Sequence, residues 1–217
     1  MIRHHLNDAL LMGYSAGQLP EAFNLIVATH ISMCDECRAR LESFDAVGGA
    51  LLETAVTDTG EVAMAEDSLA QVMARIRQAP PEPRKVQRPE PCLFPAPLRK
   101  YVGGDAEAGR WRAVGGGVRQ AILPTARDAS ARLLYIPAGM AVPDHGHRGT
   151  ELTLVLQGAF SDAVDRFGPG DIEIATEDLE HTPVAEPGMD CICLAVTDAP
   201  LRFNGMVPRL LQPFLKI

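Results

Sequence analysis

Cysteine and histidine residues near the N-terminus have the spacing of metal ligands. His30, Cys34 and Cys37 follow one another at intervals of four and three residues, and the pair His4-His5 lies upstream. On a helix, such intervals place side chains within about 60° of one another on one face. Thiolates and imidazoles are the ligands that zinc prefers in tetrahedral structural sites. The pattern therefore predicts a zinc site of His30, Cys34 and Cys37, with His4 or His5 as the fourth ligand.

A CxxC pair also occurs in redox centres, so Cys34 and Cys37 have a second interpretation. Redox pairs of this kind normally follow a strand in a βαβ unit. The residues around this pair predict helices and no such unit. The local sequence therefore favours zinc binding.

A second group of metal ligands lies toward the C-terminus. His145 and His147 are separated by one residue, Glu151 follows, and His181 lies further along. On an extended segment, residues i and i+2 point to the same side, so His145 and His147 would face one centre. Three imidazoles and one carboxylate suit zinc, manganese, iron or nickel. We expect these four side chains to hold a metal with positions left open for oxygen species or a small acid.

The remaining cysteines give a weaker signal. Cys191 and Cys193 alternate along a predicted strand and share one of its faces, where they are ordinarily small core residues. An inward-facing pair beside a metal would instead be a target for oxidation. Cys92 lies alone in a proline-rich stretch and is expected to be an exposed thiol.

Helices must position the first group of ligands, and the N-terminal sequence predicts four of them. Asn7 or Asp8 suits the cap of the first helix, and Pro20 suits the first position of the second. The apolar residues of the fourth helix form one stripe, which is either core packing or a face for a partner. The predicted helices span residues 7–16, 20–32, 34–53 and 66–78.

The chain changes character at a proline-rich stretch. Seven prolines fall within residues 80–97, which argues against a helix there and favours an extended linker. Beyond it, short β-forming runs alternate with Gly, Pro and Asp, which is typical of a sandwich or barrel. We therefore expect an all-α zinc-binding domain over 1–79, a linker over 80–97 and an all-β domain over 98–217. The clearest β runs are residues 131–136, 152–156, 171–175 and 191–196.

Composition limits what these domains do. The chain has 217 residues, a net charge of −8 and 47% hydrophobic residues, which is enough to form packed cores. The acidic balance argues against nucleic-acid binding through bulk charge. Residues 1–79 hold 5 basic and 11 acidic residues, which favours a basic protein partner. Five cysteines, no apolar leader and no long apolar run predict a cytoplasmic protein without a membrane segment or a disulfide framework.

The N-terminal pattern resembles the zinc-binding anti-sigma factors. The signature of that family is His-xxx-Cys-xx-Cys with an upstream histidine, and residues 27–38 read VATHISMCDECR. This segment, together with the opening residues 2–5, is similar to the ChrR group of the family, whose members also carry a C-terminal cupin domain. The resemblance covers nearly the whole chain. It implies that the upstream ligand is His5, the second of the two adjacent histidines.

The C-terminal pattern is similar to the cupin family, whose first motif reads G-x5-HxH-x3-E-x6-G. Residues 139–158 match this motif in full. The second motif matches less well, because His181 takes the place of its histidine but residues 177–180 replace the usual Pro-x-Gly before it. The resemblance implies an all-β cupin barrel, a double-stranded β-helix or jelly roll, with a metal inside.

A resemblance to the ChrR group implies a regulator without catalytic residues. The N-terminal zinc domain would bind an extracytoplasmic-function (ECF) type sigma factor and keep it from core RNA polymerase. The cupin domain would sense an oxidative stress such as singlet oxygen and release the sigma factor. The rival interpretation is a metal-dependent cupin dioxygenase or isomerase with a zinc-bound appendage. A third is a metal-binding module that forms homo-oligomers through the cupin domain.

Overall fold

Helices occupy the N-terminal part of the chain, as the sequence predicts. The computed structural model describes residues 1–55, 64–78 and 92–203. Asn7 caps the first helix, because its side chain accepts a hydrogen bond from the backbone N–H of Leu10 at 2.9 Å. Pro20 immediately precedes the second helix. The helices are α1 Asp8–Ser15, α2 Glu21–Ile31, α3 Asp35–Ala55, α4 Ser68–Gln78 and α5 Ala96–Val102.

The last of these helices, α5, begins inside the predicted linker. Most of that linker, residues 80–91, lies outside the described part of the chain. The expectation that no helix occurs in it is wrong at its end, because Pro97 sits in the first turn of α5, where proline is tolerated. The backbone N–H groups of Leu93 and Phe94 donate to Asp105 at 2.7 and 2.8 Å, and the Phe94 side chain is buried. The end of the proline-rich stretch is therefore part of the folded body.

Antiparallel strands are the main regular elements of the C-terminal part. The strands are β1 Arg112–Gly115, β2 Val118–Leu123, β3 Ser130–Ile136, β4 His145–Gly146, β5 Glu151–Gln157, β6 Phe160–Ser161, β7 Arg166–Phe167, β8 Ile172–Ala175, β9 Glu180–His181, β10 Val184–Ala185, β11 Cys191–Thr197 and β12 Arg202–Phe203. Six of them form one sheet in the order β1-β2-β3-β11-β5-β8, and two smaller sheets have the orders β10-β6-β7 and β12-β4-β9. The four β runs that the sequence predicts correspond to β3, β5, β8 and β11.

One hydrophobic core joins the helices to the six-stranded sheet. α2 packs on α1, α3 and α5, and it also contacts β3, β5 and β11. Ile26 and Val27 of α2 share this core with Leu154 of β5 and Leu194 of β11, and all four side chains are fully buried. The division of the chain at residues 79 and 98 stays a prediction. None of the helices in the described ranges combines the length and the apolar character that crossing a membrane requires.

Candidate metal centres

The first candidate centre lies where the N-terminal segment meets α2 and α3. One ligand atom from each of His5, His30, Cys34 and Cys37 lies within 4.8 Å of all the others. Nε2 of His30 is 3.3 Å from Sγ of Cys37, and Nδ1 of His5 is 3.3 Å from Sγ of Cys34. His4 points elsewhere, with its Nε2 3.0 Å from a carboxylate oxygen of Asp165. The structure thus brings together the four predicted residues and selects His5 over His4.

Two helices, and not one helical face, position these ligands. α2 ends at Ile31 and α3 begins at Asp35, so His30 lies in the last turn of α2 and Cys37 in the first turn of α3. Cys34 lies in the turn between them, where its backbone N–H donates to the carbonyl oxygen of His30 at 2.9 Å. Residues 30–37 therefore do not form one helical face, because the chain must turn here for α3 to pack on α1. The break predicted between the second and third helices lies in this turn.

Burial shifts the pKa values of two residues of the first cluster, His30 and Cys37. Burial lowers the pKa of His30 to about 4, and neighbouring His5 adds to this effect, so His30 is neutral at pH 7 with a lone pair for a metal. Burial likewise raises the pKa of the Cys37 thiol to about 11. A metal that binds Cys37 must therefore displace its proton. Two thiols and two imidazoles are a donor set that suits tetrahedral zinc.

The second candidate centre is formed by three buried histidines. His145 of β4 lies directly opposite His181 of β9, and His147 follows β4. One ring nitrogen of each lies within 4.8 Å of the other two. Their ring centroids are 4.8 to 5.3 Å apart. This convergence is what the HxH spacing and the later histidine predict.

Glu151, the predicted fourth ligand, lies beside the three histidines, but it does not join the group whose ligand atoms all lie within 4.8 Å of one another. It begins β5, and its Oε2 is 3.2 Å from Nδ1 of His147, without the geometry of a hydrogen bond. Burial favours its protonated form, but His147, His145 and His181 outweigh this and lower the pKa of Glu151. It is therefore a carboxylate adjacent to the three histidines.

Buried polar atoms without hydrogen bonds show that this cluster fits a cation. They are both ring nitrogens of His147, Nε2 of His181 and Oε2 of Glu151, none of which has a hydrogen-bond partner among the described residues. Leaving such atoms unpaired is costly unless something binds them. A metal ion that accepts nitrogen and oxygen ligands would satisfy one nitrogen of each of these two rings together with Oε2 of Glu151.

Sequence reasoning missed two carboxylates that hold His181 from its other side. Nδ1 of His181 is 2.9 Å from Oδ2 of Asp162 and 3.2 Å from Oε1 of Glu173. Burial lowers the pKa of His181, but Glu173 and Asp162 outweigh it and raise that pKa to about 9. The two carboxylates orient the ring so that Nε2 faces His145 and His147. Glu173 lies in a predicted strand, but its alternation does not reveal that the side chain contacts His181. No local sequence pattern indicates such a contact for Asp162.

A cavity of about 390 Å³ lies next to the three histidines. Its polar side is formed by cluster residues including His145, Glu151 and His181, and Cys193 also lines it. Sγ of Cys193 is 3.4 Å from Sγ of Cys191, and both thiols are buried. The cavity is suited to a small, largely apolar molecule beside a metal. Its apolar lining includes Val118, Leu134, Ile136, Val142 and Phe160.

These elements define the class of protein as a cupin preceded by a helical segment with a Cys/His cluster. The family described as the ChrR cupin-like domain matches residues 100–200. The chain is 63% identical to the anti-sigma-E factor ChrR of Cereibacter sphaeroides over 216 residues, which cover 100% of this chain and 99% of that protein. The chain belongs to the ChrR family.

A solved structure agrees with this assignment. The chain matches the crystal structure of Rhodobacter sphaeroides SigE in complex with the anti-sigma ChrR, with a TM-score of 0.75 and 62% identity. The match covers 91% of this chain and 99% of that chain. The predicted fold, helices followed by a cupin domain, is confirmed.

Proposed function

We propose that this chain is a cytoplasmic anti-sigma factor that binds an ECF-type sigma factor through its N-terminal helices and keeps it from core RNA polymerase. The observation that carries this proposal is the 63% identity over the whole chain with the anti-sigma-E factor ChrR. The match with the SigE–ChrR complex also supports it. A regulator, and not a cupin enzyme, is the function these relatives favour.

Exposed apolar side chains supply a surface for the sigma factor. The stripe predicted on α4 faces solvent, and the second half of α3 exposes further apolar residues. Apolar side chains grouped on one helix face are typical of protein interaction sites. The acidic balance of residues 1–79 suits the basic surfaces that a sigma factor presents to polymerase or DNA. The exposed residues are Leu69, Val72, Met73 and Ile76 on α4, and Val47, Leu51 and Leu52 on α3.

Zinc in the first cluster would fix the start of α3, the helix whose second half carries part of this surface. His5 would bring the N-terminal segment, His30 would bring α2, and Cys34 and Cys37 would bring the start of α3 to one ion. Structural zinc sites contribute folding free energy to small helical units because the ligands converge only in the folded state. Zinc therefore maintains the angle between α2 and α3.

As the pH is lowered from 8 to 6, the zinc affinity of the first cluster is expected to decrease by at least about tenfold per pH unit. Cys37, with a pKa of about 11, must release a proton to bind, whereas His30, with a pKa of about 4, releases none in this range. Cobalt(II) titrations followed by thiolate absorption measure this cluster separately from the histidine cluster. An affinity that does not change with pH would contradict thiolate ligation.

The second cluster is proposed as the sensor. His145, His147 and His181 would hold zinc, manganese, iron or nickel, and Glu151 would complete the site. The bound metal would supply a Lewis-acid or redox centre beside the cavity, and the chain's own residues shape that cavity and exclude water. An oxidative signal such as singlet oxygen would act here. Its effect must be to change the free-energy difference between the bound and released states of the sigma factor.

Transcription from a sigma-dependent promoter tests both parts of the proposal. The wild-type chain should block transcription that depends on core polymerase and its ECF-type sigma factor. His147→Ala should block it as well, because His147 lies in the cupin part and not on the exposed helices. In cells exposed to a singlet-oxygen photosensitiser, however, this variant should lose most of the roughly hundredfold induction that a signal of about 3 kcal/mol gives.

Three outcomes would count against the proposal. Transcription that the wild-type chain leaves unaffected would remove the anti-sigma function. A normal induced response in His147→Ala would remove the second cluster from the signalling path. Loss of inhibition before any stress would show that the cupin part itself holds the sigma factor.

A further inference from the structure

The N-terminal segment is anchored on the cupin part of the chain immediately before it reaches the first cluster. Oδ1 of Asp171 accepts hydrogen bonds from the backbone N–H groups of Arg3 and His4 at 2.6 and 3.0 Å. The backbone N–H of Ile172 donates to the carbonyl oxygen of His4 at 3.3 Å. The next residue along the chain is His5, a candidate zinc ligand. The position of this ligand is therefore set partly by the cupin part.

The His4 side chain strengthens this anchor. Its Nε2 lies 3.0 Å from Oδ2 of Asp165, and its ring lies 4.4 Å from the ring of Phe167. Phe167 in turn stacks on Phe160, which lines the cavity next to the three histidines. His4, which is not a ligand of the first cluster, thus has a defined role in fixing its neighbour.

The same two elements that hold His4 also hold His181. In the turn between β6 and β7, Asp162 contacts His181 and Asp165 contacts His4. At the start of β8, Glu173 contacts His181 while Asp171 binds the backbone of His4. Each element therefore carries one carboxylate for each candidate metal cluster.

The β6–β7 turn is built so that its two carboxylates move together. Oδ1 of Asp162 accepts hydrogen bonds from the backbone N–H groups of Val164 and Asp165 at 2.8 and 3.0 Å. The backbone N–H of Asp162 donates to the carbonyl oxygen of Asp165 at 3.1 Å. A displacement of Asp162 by its partner His181 is consequently transmitted to Asp165 and to His4.

We propose that Asp162, Asp165, Asp171 and Glu173, here called the carboxylate bridge, are positioning residues that couple the histidine cluster to the Cys/His cluster. A change in how His181 is held alters the anchor of His4, and with it the hold of His5 on zinc. Coupling of this kind is reciprocal, because each cluster biases the same set of contacts. A role of this coupling in releasing a sigma factor rests on the proposed function. The coupling between the two clusters does not depend on that function.

Alkylation of Cys34 and Cys37 in the purified, zinc-loaded full-length chain measures the coupling without a sigma factor. Both thiols are buried, and zinc would protect them further from iodoacetamide. His147→Ala, which disturbs the histidine cluster outside the bridge, should raise their alkylation rate about fivefold. In an Asp165→Ala background the same substitution should have a clearly smaller effect, because the link from the β6–β7 turn to the His4 side chain is cut and only the contacts of Asp171 remain.

Glu186→Ala is the matched control for Asp165→Ala. Glu186 is also a cupin carboxylate in an exposed ion pair, with Arg166 at 2.7 Å, and it contacts neither cluster. In its background, the fivefold effect of His147→Ala should persist. An effect of His147→Ala that is equal in the wild-type and Asp165→Ala backgrounds, or absent from both, would overturn the coupling.

Asp162→Asn provides a second route that keeps every metal ligand, in case His147→Ala does not fold. It should raise the alkylation rate about fivefold in the wild-type background and clearly less in the Asp165→Ala background. Peptide mass spectrometry separates Cys34 and Cys37 from the other cysteines. Because no sigma factor is present, a missing effect on the alkylation rate is distinct from a failure to inhibit transcription. Rapid alkylation of Cys34 and Cys37 in the zinc-loaded wild-type chain would contradict the zinc assignment instead.

Discussion

Replacing Cys37 with Ser is expected to remove about one equivalent of zinc and to weaken binding of the sigma factor by about a hundredfold or more. Sγ of Cys37 lies 3.3 Å from Nε2 of His30 and 3.7 Å from Nδ1 of His5, and the residue is fully buried. A serine hydroxyl is a poor zinc ligand, so the variant loses the ion that joins the N-terminal segment to α2 and α3. The start of α3, and with it the part of the docking surface on that helix, then loses its fixed position.

Metal analysis of the purified protein and a binding titration with labelled sigma factor measure the two effects. Cys92→Ser is the matched control, because Cys92 is an exposed free cysteine outside both clusters. It should keep full zinc content and full affinity. A Cys37→Ser variant with unchanged zinc and unchanged binding would show that the first cluster is not a zinc site.

The double substitution Val72→Asp with Ile76→Asp is expected to weaken sigma-factor binding by about a hundredfold while leaving thermal stability unchanged. The two residues lie one helical turn apart on α4, and their exposed fractions are 52% and 63%. Their exposure means that the free protein loses no core packing. In a complex, however, two carboxylates would be buried in an apolar contact without partners.

Met189→Asp is the control for this double substitution. Met189 is similarly exposed, at 57%, but lies in the cupin part just before β11. Its variant should bind the sigma factor normally. If the α4 variant also bound normally in the same titration, the stripe would not be the docking surface.

Local patterns in the sequence predicted helices α1 to α4, strands β3, β5, β8 and β11, and most of the candidate site. Asn7 and Pro20 mark helix starts through their own backbone and side-chain chemistry, and α1 and α2 begin beside them. The HxH pair predicted a cluster because alternation along an extended segment is a property of the local backbone. His145 and His147 accordingly converge with His181. The helical spacing of the apolar residues in α4 likewise predicted a single apolar stripe. It did not predict whether this stripe faces the core or solvent.

Only the tertiary structure decided how the two parts of the chain meet. Residues far apart in sequence make these contacts, such as His4 with Asp165 and Asp162 with His181, and no periodic pattern records them. The choice of His5 over His4 depends on Asp171, which fixes the backbone just before it. The burial of Phe94 depends on the packing around α5 and not on its proline-rich surroundings. The sequence by itself determined which side chains are suited to bind metal, and the tertiary fold determined which carboxylates hold them, because such contacts form only when distant segments pack together.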